Sequence, residues 1–560
     1  MTEPAPSSSW SRDLLLLALA LGVFFGFRLG GPPLANPDEG RNAEIPREMV
    51  ASGNWVTPQL NGVNYFEKPP LMYWAEAVAL KLLGPSEWSV RAVPALFALA
   101  GVLLAYAATR RIYGRSAGLL AALVQGTSLF YFGLGRFLIL DLAVSVLMSA
   151  TLFCFINGVR EPSGWRRRWW FYGLYASSAL ATLTKGLMGF LLTGAVMFLW
   201  LLVFNQWKRL RPLYLPTGAL LFLVVAAPWH LLAALQNPTW MHRYLVYEHF
   251  ERFTSTAANR PGPWWYFVPI VLLGLFPWTG FLWAGLREAV RGGWADRSKN
   301  ADTWFFLTWA GSMFLFFSAS HSKLPPYILP IFPALAVLIG RSLAQAIEEG
   351  AARLRGGLAV FSFFCGLLAA VLCVVVLRPD LVHGMSFRQA QALRPPAFTM
   401  AAVLVLGGIL APWLAKIRGS RAALGAIIAT LALFGGVLTF AAVDIQKPGT
   451  KELAQLVTRR AQPGDRVVHY HEFFHDFTFY AGRVVDVVAF KGELELEEDA
   501  AARTSERFLD EAAFRRLWTQ PARVFAVARK RDVQELFADP AFSYRLLGQT
   551  EDHYLFSNQP

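Results

Sequence analysis

Six short stretches, in five separate segments, put acids, cations and aromatic side chains where a strongly apolar chain has little reason to carry them. "NPDEGR" holds Asp38, Glu39 and Arg41, and "NYFEKPPLMYW" holds Tyr65, Glu67 and Lys68. "GRFLILD" carries Arg136 and Asp141, and "TLTKG" carries Lys185. "YEHFERF" holds Glu248, His249, Glu251 and Arg252; "SASHSKLPPYILP" holds His321, Lys323 and Tyr327. Ionisable groups in or beside membrane-spanning segments are expensive, so their default reading is functional. Several cations with tyrosines suit a phosphate anion, lysine as a point charge and arginine as a fork. A phosphate that leaves during group transfer needs its developing charge stabilised. A carboxylate opposite it would orient or deprotonate an acceptor.

These residues must be positioned by membrane helices. The chain has 560 residues, is 55% hydrophobic and only 16% charged, with mean hydropathy +0.38. An ordinary soluble domain is about 25% charged. The apolar residues fall in blocks near the roughly 20 residues that span a bilayer. We read thirteen spans: 14–30, 90–108, 117–134, 139–156, 169–183, 187–204, 217–235, 264–286, 303–320, 327–339 (running on toward 344), 358–377, 397–414 and 422–442.

Lys and Arg cluster in alternate short loops, as in Arg110–Arg111–Arg115, Arg166–Arg167–Arg168 and Lys208–Arg209–Arg211. The positive-inside rule then predicts a cytoplasmic N-terminus and, with an odd span count, an external C-terminus. The net charge of +14 is accordingly topology and anionic-lipid contact, and no nucleic-acid motif accompanies it. No A-x-A site follows the first span, which reads as an uncleaved anchor. Cys154, Cys365 and Cys373 all fall inside spans and cannot staple an outer loop.

Residues 31–89 form a long outer loop of the membrane domain, 1–443. "GRNAEIPREMVASG" and "PPLMYWAEAVALKLLG" within it predict two helices lying flat on the membrane, ended by Gly53 and Gly84. Residues 444–560 predict a small external α/β domain. "KELAQLVTRRA" and "ERFLDEAAFRRLW" read as its helices, and "DRVVHY", "FTFYA", "VVDVVAF" and "RVFAVAR" as its strands. It carries no phosphate-binding glycine loop, nucleophile elbow or metal-ligand spacing.

By topology the five segments that carry these stretches all fall on the outer side, which predicts one site at the outer surface. Each residue also has a plainer reading. Arg136 can snorkel, Lys185 can cap a helix C-terminus, Glu67 and Lys68 can form a local ion pair, and Asp38–Glu39 can cap a helix.

Taken together, "NPDEGR", "NYFEKPPLMYW", "GRFLILD", "TLTKG" and "SASHSKLPPYILP" resemble the lipid A aminoarabinose transferases, a branch of the protein O-mannosyltransferase-like GT-C membrane glycosyltransferases. The resemblance covers the membrane region to about Ala344 by motif, and the rest by layout. It implies a thirteen-span GT-C fold with a periplasmic α/β domain in the bacterial inner membrane. It also implies transfer of 4-amino-4-deoxy-L-arabinose from undecaprenyl phosphate to a lipid A phosphate, which weakens binding of polymyxin-type peptides. Carried over by motif, Asp38 and Asp141 match the catalytic acids, with Glu39 beside them. Lys68 is the candidate for the carrier phosphate; Arg41, Tyr65, Glu67, Lys185, Arg252, Lys323 and Tyr327 are candidate helpers. No cofactor is required by this reading. A divalent metal on Glu67 and His249 would have only two protein ligands, too few for a structural site.

Overall fold

The computed structural model describes residues 8–238, 240–241, 244, 260–291, 293–382, 385–446, 449–490, 492, 494 and 505–559. They fall into two compact units. One takes the described residues of 1–29, 91–231 and 244–445; the other takes those of 30–90, 232–243 and 446–560.

The first unit is helical throughout. Lipid offers no partner to a backbone N–H or C=O, so each apolar block must satisfy its own by coiling. Eight helices among the described residues are long and apolar enough to cross a membrane, nine with a bent pair counted as one. The remaining predicted spans fall on shorter or less apolar helices, such as Met188–Val203 and Ala301–Ala319.

Two predicted spans are not single rods. The block 117–134 splits at Ser128, whose extended backbone (φ −64°, ψ 130°) separates Arg115–Thr127 from Leu129–Leu134. The block 264–286 becomes Phe267–Gly274 and Thr279–Ala289, bent by 104°.

Helices approach closely where side chains are absent. A Cβ on Gly340 would meet the Ala121 backbone nitrogen at 2.5 Å, and one on Gly407 would meet the Thr430 hydroxyl at 2.1 Å. Small residues permit such crossings in a medium that supplies no hydrophobic drive. The buried indoles find acceptors. Trp200 donates to the Ala301 carbonyl (2.7 Å), Trp278 to the Thr127 hydroxyl and Trp309 to the Pro330 carbonyl (both 2.9 Å).

The second unit joins the first long loop to the C-terminal domain. The loop's two predicted helices are present as Asp38–Ser52 and Leu71–Leu83. Gly53 ends the first in the left-handed region at φ 72°, its N–H donating to the Met49 carbonyl (3.0 Å). A short hairpin lies between them, β1 (Gln59–Leu60) with β2 (Val63–Asn64).

The C-terminal domain is a six-stranded sheet of order β5-β4-β3-β6-β8-β7: β3 (Arg466–Tyr470), β4 (Asp486–Val488), β5 (Phe508–Leu509), β6 (Val524–Arg529), β7 (Arg545–Gln549) and β8 (His553–Ser557). β5, β4, β3 and β6 run parallel, and β8 and β7 add an antiparallel edge. The predicted helices appear as Lys451–Arg460 and Glu511–Trp518, the latter capped by Asp510 accepting from the Ala513 amide (2.6 Å).

"FTFYA" is not a strand. It belongs to the helix His475–Ala481, where Phe477 and Phe479 are buried. Its aromatics reflect burial, which β-propensity scales also measure. The sequence reading also missed the β7–β8 hairpin, whose β7 strand is mostly exposed.

Candidate active site

Within the second unit, Asp38 opens the helix Asp38–Ser52, and its carboxylate accepts from the Arg41 guanidinium one turn on (2.8 Å). The Asp38 side chain is 54% exposed, so it keeps access to a ligand. Glu39 behaves differently. It is fully buried, and its Oε2 accepts from the Ala35 amide (3.0 Å), bracing the turn that presents Asp38.

Tyr65 is buried, with its amide donating to the Pro58 carbonyl (2.8 Å). Lys68 Nζ donates to the Glu67 carbonyl (2.9 Å) and lies 3.8 Å from the Glu67 carboxylate, both side chains about one-fifth exposed. The local ion pair anticipated from sequence is therefore present, in a loose geometry that leaves the ammonium partly open to solvent.

Behind them on Leu71–Leu83, Tyr73 and Glu76 face inward. The Tyr73 hydroxyl and Glu76 Oε2 are buried with no hydrogen-bond partner among the described residues. Burial pushes the Glu76 carboxyl well above the usual carboxylate range.

The loop is tied down by residues the sequence reading did not single out. Asn36 Nδ2 donates to Asp476 Oδ1, and the Asp476 amide donates back to Asn36 Oδ1 (3.0 Å). Asp476 also accepts from the Thr450 amide (2.7 Å) and hydroxyl (2.8 Å). Glu48 accepts from the amides of Asn61 (2.6 Å) and Gly62 (2.8 Å), and Asn61 bonds Val485 in both directions (3.0 and 2.9 Å). Burial raises the Asp476 carboxyl, while these donors pull it back down. The one signal in sequence was an Asn-Pro directly before the first acid.

Within the first unit, Asp141 sits in the first turn of Leu140–Arg160 and Lys185 in the last turn of Trp165–Lys185. They form an ion pair, each about one-fifth exposed, and Lys185 Nζ lies 4.6 Å from the centroid of the Tyr327 ring. Lys323 is buried, its ammonium donating to the Ser320 carbonyl and its amide to the Arg260 carbonyl (3.1 Å). Arg136 donates to the Phe25 carbonyl (2.5 Å) and lies over Phe132, a helix-tying role. Arg252 and His249, like Glu248 and Glu251, lie outside the described residues. No group of three or more His, Cys, Asp or Glu fit for a metal occurs among the described residues.

Among the predicted residues the structure thus shows the pairs Asp38–Arg41 and Glu67–Lys68 in one unit, and Asp141–Lys185 beside Tyr327 in the other. Each couples a carboxylate to a cation at a helix end. Within its own unit, each such pair offers a cation to an anionic group and a carboxylate to a polar or cationic one.

Residues 67–231 match the family described as dolichyl-phosphate-mannose-protein mannosyltransferase, and residues 453–558 match the aminoarabinose transferase C-terminal domain. The undecaprenyl phosphate-alpha-4-amino-4-deoxy-L-arabinose arabinosyl transferase of Aeromonas salmonicida is 33% identical over 71% of this chain and 71% of its own length. The enzyme of the same name from Pectobacterium carotovorum is 30% identical over 90% of this chain and 89% of its own. The crystal structure of ArnT from Cupriavidus metallidurans bound to undecaprenyl phosphate superposes with a TM-score of 0.84, at 29% identity, covering 99% of this chain and 98% of that one. The chain belongs to the undecaprenyl phosphate-aminoarabinose arabinosyl transferases, and it is a multi-pass GT-C glycosyltransferase with a C-terminal α/β domain.

Proposed function

We propose that this enzyme moves 4-amino-4-deoxy-L-arabinose from undecaprenyl phosphate to a phosphate of lipid A, at the periplasmic face of the bacterial inner membrane. The observation that carries this reading is the likeness over 99% of the chain to a relative bound to undecaprenyl phosphate. In the reaction, a lipid A phosphate oxygen attacks C1 of the sugar from the face opposite the carrier. The C1–O bond to undecaprenyl phosphate breaks, and its electron pair leaves on the carrier phosphate.

We assign Lys68, with Arg41 and Lys185 as helpers, to the charge that grows on that leaving phosphate. A lipid A phosphate is already largely ionised near neutral pH and needs no strong base. Asp38 and Asp141 are therefore assigned to the sugar, holding its ammonium or a hydroxyl and favouring oxocarbenium-like charge at C1. Lys323 and Tyr327, the latter's ring centroid 4.6 Å from the Lys185 ammonium, are further candidate helpers for the carrier phosphate. The N-terminus faces the cytoplasm and the C-terminal domain the periplasm in this reading. Masking lipid A phosphates with an ammonium-bearing sugar gives resistance to cationic peptides.

The test is lipid A mass spectrometry in a strain lacking its own aminoarabinose transferase but supplied with donor. The native gene is expected to add an aminopentose mass and raise polymyxin survival, and Lys68→Ala and Asp38→Asn to lose both at equal expression. No mass gain from the well-expressed native gene overturns the reading.

A further inference from the structure

One end of the helical unit carries four exposed cations, Arg166, Arg168, Lys208 and Arg211, that form no ion pair among the described residues. The helices Leu140–Arg160 and Trp165–Lys185 have 21 residues each, about 30 Å of rise, and join through the turn 161–164. That turn lies about one hydrocarbon thickness from the Asp141–Lys185 pair at their other ends. Just after the turn, Arg167 is buried and ties two stretches of chain together. Its guanidinium donates to the carbonyls of Glu161 (3.0 Å), Arg209 (2.6 Å) and Pro212 (3.1 Å). The Tyr175 hydroxyl donates to the Leu213 carbonyl (3.3 Å), and the Tyr214 hydroxyl to the Gly164 carbonyl (3.4 Å). The loop 205–214 is thereby held against the start of Trp165–Lys185 as one platform.

Arg166 and Arg168 adjoin Arg167 in the chain, while Lys208 precedes Arg209 and Arg211 precedes Pro212. One buried guanidinium thus gathers four cations on one surface. Topology requires positive charge in such loops, but not that a buried arginine should lock the loops to each other. The neighbouring acids are already matched. Glu161 pairs with Arg111 (2.6 Å), and Asp302 with Arg209 (2.8 Å) and with Arg160. The platform is therefore short of negative charge. Three indoles stand exposed among the cations: Trp165 at 68%, Trp169 at 65% and Trp207 at 41%. Exposed tryptophan belongs at the lipid–water boundary. On either side of the loop, Leu202 and Val203 of Met188–Val203 and Leu215 of Leu215–Gln236 are exposed apolar side chains. A soluble anion would leave the indoles and aliphatic chains in water. A lipid of no net charge would leave the cations unneutralised. A ligand with an anionic head and acyl chains satisfies both, and arginine forks suit its phosphate.

We propose that this platform is a binding site for an anionic phospholipid, its phosphate among the four cations and its acyl chains along the helices that flank the loop. The lipid belongs to the leaflet opposite the transfer site proposed above. Its binding does not depend on that reading.

The test uses purified full-length protein in phospholipid-free detergent, with lipid adducts counted by native mass spectrometry. Phosphatidylglycerol is titrated against phosphatidylethanolamine of the same acyl chains, which has the same phosphate but no net charge. Phosphatidylglycerol is expected to bind about tenfold more tightly. The triple variant Arg166→Gln, Lys208→Gln, Arg211→Gln keeps Arg167, Arg168 and Arg209, and so keeps the platform's ties. It should weaken the tightest phosphatidylglycerol adduct roughly tenfold to a hundredfold, with the lipid-free thermal midpoint unchanged. Should that midpoint fall, Lys208→Gln alone, at an exposed side chain, should still weaken the adduct about threefold or more. A matched control, Lys416→Gln, Arg418→Gln, Arg421→Gln, removes the same charge from exposed positions on Phe387–Arg418 and Ser420–Ile445, and should bind as the native protein does. Equal binding of the two lipids overturns the proposal. So does equal loss in both triple variants, which would make the attraction one of diffuse charge. An adduct that survives the platform variant also overturns it, and places the lipid elsewhere on the protein.

Discussion

Asp141 and Lys185 show how much a single side chain depends on its partner here. Each sits at a helix end, and each carries a charge that the other offsets at one-fifth exposure. Asp141→Asn leaves the ammonium without its carboxylate, and Lys185→Gln leaves the carboxylate without its base. Either change is expected to cost about 1–3 kcal/mol of transition-state binding, or roughly tenfold to a hundredfold in kcat/KM. Because the residues touch, the double variant should cost clearly less than the two single losses combined. Steady-state kinetics with a lipid-linked donor would settle it, and strictly additive losses would show that the pair does not act as a unit. Most of the polar residues were legible in sequence because an ionisable group inside an apolar block stands out. What each one does was not. Glu39 adjoins Asp38 in the sequence, yet it is buried and braces a turn, whereas Asp38 is half exposed. Adjacent helical positions lie about 100° apart and face different surroundings.

At the scale of elements, the turn before Asp38–Ser52 is held by close backbone approach as well as by hydrogen bonds. A Cβ added at Gly40 would lie 2.6 Å from the Asp476 amide nitrogen and 2.8 Å from Asn36 Oδ1. One of these contacts is backbone and cannot swing away. Gly40→Ala is therefore expected to shift the helix start and cost about 1–3 kcal/mol, as overpacking does. Transfer should fall with it, because Asp38 lies two residues before Gly40. Gly464→Ala, where nothing lies within 4 Å of the new Cβ, is the control and should change neither thermal midpoint nor activity. Equal behaviour of the two variants would show that the Asn36–Asp476 contact does not position Asp38. The helices on either side of the hairpin were legible, because Gly53 and Gly84 mark their ends. Their tie to the C-terminal domain was not, since it joins Asn36 and Asp476 across 440 residues through two side chains with no local pattern. The breaks at Ser128 and at 275–278 were hidden for a related reason. Average hydropathy reports whether a block belongs in lipid, and says nothing of where neighbouring helices force it to bend.

At the scale of the whole molecule, the multi-pass architecture was plain from composition, because bilayer thickness sets the length of each apolar block. The electrostatic character of the second unit was not, since it depends on which histidines the fold buries. Burial, with the positive charge of Arg41, holds the His475 imidazole down at about 3, and burial holds His553 at about 4. In the unfolded chain both titrate near 6.5. The folded pKa lies below the unfolded one, so the stability these neutral rings allow is fully present above about pH 6.5. As pH falls below that, the unfolded chain takes up protons that the fold refuses, and stability drops until the folded pKa is passed. For His475, at 6% exposure, the slope is about 1.4 kcal/mol per pH unit. The buried Asp476, whose carboxyl is raised, acts with the opposite sign, because the fold takes up its proton at a higher pH than the unfolded chain does. Because the raised carboxyls of Glu44 and Glu76 contribute with the opposite sign over the same range, thermal unfolding of the full-length protein from pH 7.5 to pH 5 is read as the difference between the native chain and a histidine variant. A His475→Asn variant starts lower, having lost the ring's packing against Phe473 at 4.7 Å. The difference should nevertheless shrink below pH 6.5, the variant converging on the native protein as both approach pH 5. Parallel profiles would mean that His475 takes up its proton in the folded state, and that the ring is reached by solvent.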